Sequence, residues 1–121
     1  MTDRLIYKVL TAADWAAAQA AGVYDGAPVD RADGFIHFST AAQLPDTLAK
    51  HFAGVDDLVL VAVPTSAFDA QALKWEPSRG GALFPHLYAA LDPSLSVAVW
   101  PLPLGPDGRH MVPDLPRDDP A

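Results

Sequence analysis

The chain has no cysteine, which removes disulfide scaffolds, thiolate catalysis and every zinc site that needs sulfur. Basic side chains are scarce: 8 lysines and arginines stand against 15 acids, for a formal net charge of −7. Those few, Arg4, Lys8, Arg31, Lys50, Lys74, Arg79, Arg109 and Arg117, are scattered singly. Phosphate-backbone binding needs a clustered basic face, so no polymeric nucleic acid is expected as a partner. A small-molecule or nucleotide ligand stays open, because one or two local cations suffice for it. The longest apolar run, Leu58 to Val63, is far too short to cross a bilayer, so no membrane partner is expected. Met1-Thr2-Asp3-Arg4 leads straight into a strand-like stretch without a signal-peptide core, and the expectation is a cytoplasmic protein. His-x-x-x-His and His-Glu-x-x-His spacings are absent, and Ser39 has no Gly-x-Ser-x-Gly elbow around it. Glutamate occurs once, at Glu76.

What remains is one domain of 121 residues, long enough to close a core without disulfides or metal. Leu5 to Leu10 reads as a first strand. Thr11 is placed to cap an alanine-rich helix from Ala12 to Ala21 that stops at Gly22, with Trp15 and Ala18 on its buried face. Tyr24 to Ala32 reads as a loop. Leu44, Leu48 and Phe52 recur at helical spacing, with Pro45 in the first turn. Leu58 to Val63 reads as a central strand buried on both faces. Pro64 to Gln71 reads as a turn or short helical piece and Leu73 to Glu76 as a short strand. A mobile loop then spans Pro77 to Gly81, and Leu83 to Ala90 and Ser96 to Leu102 close the domain as strands. This order predicts an α+β fold with a mixed or antiparallel sheet and two main helices. Residues 1–104 form the expected domain. Residues 105–121, rich in Pro and Asp, are the expected flexible tail.

The chemistry-bearing residues cluster in two stretches. In Asp33-Gly34-Phe35-Ile36-His37-Phe38-Ser39-Thr40, alternation sends Ile36 and Phe38 to one face and Phe35, His37 and Ser39 to the other. An imidazole and a hydroxyl two residues apart on one strand face can grip the same ligand. In Phe84-Pro85-His86-Leu87-Tyr88, the residues Phe84, His86 and Tyr88 share a face, a pattern that suits stacking on a planar ring and equally describes an aromatic core edge. Glu76 lies between Trp75 and Pro77 at the lip of the Gly80-Gly81 loop, where a carboxylate can orient a ligand hydroxyl or meet a developing positive charge. Tyr7 and Lys8 face opposite ways, so at most one joins the site. His51 reads as a helix C-terminal residue, His110 as a solvated one, and Trp15, Trp75 and Trp100 as core. Catalytic zinc can be held by three histidines from different elements, which leaves a His37, His51, His86 metal site as a minor alternative.

Taken with Ile6-Tyr7-Lys8, Gln43 and His51-Phe52, these strings resemble a family of small bacterial proteins of unknown function. The resemblance runs from about Leu5 to about Leu102, and the Asp-Gly-Phe-Ile-His-x-Ser string is its most specific part. That family is grouped with the ADP-ribosyltransferase fold. The order of elements is also distantly similar to RNA 2′-phosphotransferases of that fold, although their first-strand His-Gly-Thr is replaced here by Tyr7-Lys8-Val9. The resemblance implies a compact ADP-ribosyltransferase-like domain that binds NAD, with His37 and Ser39 at the ribose and nicotinamide and His86 and Tyr88 lining the pocket. His37 and Glu76 are then the implied catalytic residues, and no metal is expected. The alternative is a module that binds a nucleotide or small anion in the same cleft without turnover.

Overall fold

The structure is a computed structural model that describes residues 4–78 and 81–115. Arg79 and Gly80, in the expected mobile loop, lie outside the described residues, as do residues 116–121 of the expected tail. Among the described residues the fold is α+β, with three α-helices and two small antiparallel sheets. Strand β1 (Leu5–Thr11) pairs with β3 (Leu58–Pro64), which pairs in turn with β6 (Ala98–Leu102). The second sheet has the order β2 (Ile36–His37), β5 (Ala82–Leu87), β4 (Leu73–Ser78). Every pair of these strands is antiparallel.

The continuous apolar run of β3 makes it the middle of the larger sheet, where both faces must be covered. One face, with Val61 and Val63, packs beside Ile6, Leu10, Trp15, Ala18, Ile36, Phe38 and Leu87. The other, with Leu60 and Ala62, packs beside Tyr7, Val9, Leu44, Leu48 and Leu102. Trp75 and Trp100 are only partly buried and sit at the rims of these two cores. Helix α1 (Ala12–Ala21) begins where the Thr11 hydroxyl accepts the Asp14 N–H at 3.0 Å. It ends at Gly22, whose N–H reaches the Ala18 carbonyl. Helix α3 (Leu44–His51) buries Leu44, Thr47 and Leu48.

One element departs from the sequence reading. Within the expected Tyr24–Ala32 loop lies a helix, α2 (Pro28–Asp33). A helix this short shows no periodicity, and the Asp, Gly and Pro around it read as turn residues. Its start is fixed locally by Pro28 at the first turn and by the Asp30 carboxylate, which accepts the Ala27 N–H at 2.7 Å.

The two sheets are joined by the chain leaving β2. Phe38 still donates its N–H to Pro85 of the small sheet, while Ser39 exchanges both backbone hydrogen bonds with Tyr7 of β1, at 2.8 and 2.9 Å. The segment expected as a tail folds back on the domain within its described part. Gly105 donates to Arg109, Met111 to Pro103, and the His110 ring contacts the Val55 carbonyl through Nε2 at 2.7 Å. Leu115 packs against the second core. No helix among the described residues is long and apolar enough to cross a membrane.

Gly26 shows how closely α2 is fitted. Its φ of +102° favours glycine, and an added Cβ would stand 2.6 Å from the Asp30 Cβ. Gly26→Ala is therefore expected to destabilise the domain by more than the roughly 1 kcal/mol of an ordinary glycine position. Chemical denaturation measures it; a variant as stable as the parent would mean that the turn before α2 relaxes freely.

Candidate functional site

Lys8 lies on β1 between Ile6 and Leu10, on the strand face that packs into the first core, and is only 6% exposed. A buried ammonium needs a carboxylate, and Asp30 of α2, 1% exposed, supplies it. Lys8 Nζ donates to both Asp30 oxygens, at 3.1 and 2.9 Å. Asp30 also accepts the backbone N–H groups of Ala27 and His37 and faces His37 Nδ1 at 2.6 Å. Burial alone would raise the Asp30 carboxyl, but the hydrogen bond from His37 and the charge and hydrogen bonds of Lys8 outweigh it and hold the group well below the usual carboxylate range. Burial works the other way on Lys8, lowering its pKa against the pull of Asp30.

His37 is thus fixed from behind by Asp30, while its Nε2 lies 3.0 Å from Asp33 Oδ2 at the end of α2. The antiparallel register sets His37 directly opposite His86. Their rings meet edge to face with centroids 5.4 Å apart. Phe35 stacks on the His86 ring at 4.1 Å and also touches His37 and Tyr88, which closes an aromatic layer on this face of the small sheet. Glu76 completes it: Oε1 accepts the Tyr88 hydroxyl at 2.7 Å and faces His86 Nδ1 at 2.8 Å. Those two hydrogen bonds, Tyr88 first, lower the Glu76 carboxyl pKa, and the same bond raises that of Tyr88.

Lys8, Asp30, Asp33, His37 and His86 border a cleft of about 500 Å³, within the usual range of small-molecule sites. His37, His86 and Phe84 line it from the small sheet, Lys8 from β1, and Ser39, Thr47 and His51 from the α3 side. Of the sequence candidates, His37, Ser39 and His86 therefore meet at one cavity. Ser39 is buried there, its hydroxyl 2.9 Å from that of Thr47. Glu76 and Tyr88 stand behind His86 rather than along this cleft. Tyr88 instead lines a second hollow of about 330 Å³, with Phe35 and Arg31. His51 is exposed at the end of α3 and still borders the first cleft, whereas His110 lies away from it, against Val55. Although three histidines border one cleft, no group of three or more metal-binding side chains among the described residues is close enough to hold an ion.

The sequence reading missed Asp30 and Asp33 as site residues, and left Lys8 undecided. A signal existed: a lysine on the inward face of an apolar strand must find a buried acid, and an aspartate three residues after a helix cap is well placed to turn inward.

The family model described as a protein of unknown function (DUF952) matches residues 9–99. Among solved structures, the crystal structure of protein CC0527 from Caulobacter crescentus is 48% identical, with a TM-score of 0.84 over 88% of this chain and 93% of that one. The solution structure of CC0527 is 50% identical, with a TM-score of 0.77 over 87% and 90% of the two chains. No curated protein matches.

Removing one partner of a buried ion pair leaves a charge stranded, so Asp30→Asn is expected to cost about 3–5 kcal/mol of stability. The sign with pH follows from the depressed Asp30 carboxyl. Its contribution is present above the unfolded-state value near 3.9 and is lost progressively as pH falls below that value toward the depressed folded-state one. Denaturation midpoints from pH 7 to pH 3 should fall steeply in the parent and less steeply in Asp30→Asn. Parallel profiles would mean that Asp30 is not ionised in the fold.

Proposed function

This chain belongs to the DUF952 family of proteins of unknown function, and we propose that its cleft binds NAD as an ADP-ribosyltransferase-like site, transferring ADP-ribose to an acceptor. The observation that carries the reading is the cross-strand pair His37–His86 bordering a cavity of about 500 Å³. A cavity of this volume has room for the nicotinamide-ribose end of such a ligand. Imidazole and phenyl edges along one wall suit a planar ring, and the ring of His37, anchored at Nδ1 by Asp30, meets a ribose hydroxyl through Nε2 where that hydroxyl displaces the half-exposed Asp33 carboxylate. Ser39 keeps the wall in register through its backbone bonds to Tyr7. Glu76 holds a negative charge one hydrogen bond behind His86. That fixed charge favours the positive charge developing at the ribose as nicotinamide leaves, and its stabilisation is electrostatic and preorganised.

One observation favours the second reading, a nucleotide-binding module without turnover. The Glu76 oxygen Oε1 is already shared between Tyr88 and His86, and Glu76 does not border the cleft. Calorimetric titration with NAD and assay of free nicotinamide separate the two. Binding with release supports transfer, binding without release supports the module, and no binding removes NAD from the account. His37→Ala should weaken NAD binding by about 1–3 kcal/mol, the loss of one polar contact. The domain should stay folded, because the Asp30 carboxylate keeps Lys8 and two backbone donors. A variant that unfolds would make His37 a structural residue.

A further inference from the structure

We propose that His86 is the general base of this site and that it serves an acceptor bearing a neutral O–H group, a hydroxyl or water; the inference rests on the NAD reading for its reaction, though not for its geometry. Two imidazoles face one another here, and their surroundings divide their roles. His37 has a carboxylate against each ring nitrogen, Asp30 at 2.6 Å and Asp33 at 3.0 Å, so neither nitrogen is open to take a proton from a substrate. His86 has one, Glu76, at Nδ1, and its Nε2 has no hydrogen-bond partner among the described residues.

An ionised carboxylate accepts hydrogen bonds and cannot donate them, so the contact with Glu76 requires the proton to sit on Nδ1. In the neutral ring Nε2 then carries the lone pair. The Tyr88 hydroxyl, also on Oε1, helps keep Glu76 ionised and in place. Phe35 stacked at 4.1 Å fixes the plane of the ring, which borders the cleft although His86 is 5% exposed. Glu76 is therefore a positioning residue that acts through His86.

The nature of the acceptor follows from what needs a base. A carboxylate or phosphate acceptor arrives ionised and gains nothing from one. A hydroxyl or water carries a proton that must go somewhere. The acceptor oxygen forms a bond to the ribose C1′, the glycosidic C–N bond breaks with its electron pair passing to the departing nicotinamide, and the acceptor proton passes to His86 Nε2 and then to solvent.

The test has an arm that does not depend on turnover. In the full-length protein, long-range ¹H–¹⁵N correlation spectra at neutral pH should show His86 protonated at Nδ1 and bare at Nε2. Glu76→Leu should shift the ring toward the other tautomer, and Glu76→Gln should restore the parent pattern in part. A parent His86 protonated at Nε2 overturns the assignment whatever NAD does. In the second arm, with NAD and added methanol, the parent should release nicotinamide and give methyl ADP-ribose alongside ADP-ribose. His86→Ala should lose about a hundredfold or more in kcat at saturating NAD, beyond any loss of NAD affinity. Unchanged turnover in His86→Ala overturns the base. Failure of the parent to bind NAD overturns the reaction while leaving the tautomer result to decide the dyad.

Discussion

The Asp30 carboxylate, buried among apolar residues, gathers three parts of the chain that would otherwise have no reason to meet. Lys8 comes from β1 of the larger sheet, the Ala27 N–H from the start of α2, and the His37 backbone and ring from β2 of the smaller sheet. Each contact answers a need set by burial. An ammonium on the inward face of a strand cannot stay unpaired, and the carboxylate that neutralises it has lone pairs left for further donors. The fit is close enough that Gly26 has no room for a side chain. The same interaction that completes the core also sets the orientation of the cleft imidazole.

The small sheet converts that anchor into a site. Because β2 and β5 run antiparallel, the register that places Ile36 against Leu87 in the core must place His37 against His86 on the other face. A slip of β2 by one residue would turn His37 into the core and Ile36 out of it, so core packing protects the geometry of the cleft. The pairing of β4 with β5 then brings Glu76 within reach of His86 and Tyr88. The arrangement has two imidazole–carboxylate pairs of unequal kind. One imidazole is enclosed by two acids, and the other is held by a single acid and open at its second nitrogen.

Much of this was legible in the sequence because alternation and capping are local. The run Phe35 to Ser39 announced a two-sided strand, and Thr11 and Gly22 marked both ends of α1. The apolar run at β3 announced a central strand with covered faces. What could not be read depends on distance along the chain. Asp30 and Lys8 are 22 positions apart, and nothing in their own neighbourhoods names the partner. Helix α2 is too short for periodicity, so the residues that place Asp30 resemble an ordinary turn. Glu76 stood out as the one glutamate, yet only the register of β4 shows that it faces a histidine before it faces the cleft.

The cleft bordered by Lys8, His37, Ser39 and His86 is the proposed seat of a nicotinamide dinucleotide. Titrating isotope-labelled protein with NAD and following backbone amides tests that directly. The account predicts graded, saturable shifts concentrated at Lys8, His37, Ser39, Thr47 and His86. Shifts confined to the hollow beside Arg31 and Ala90, or none at all at millimolar NAD, would contradict it.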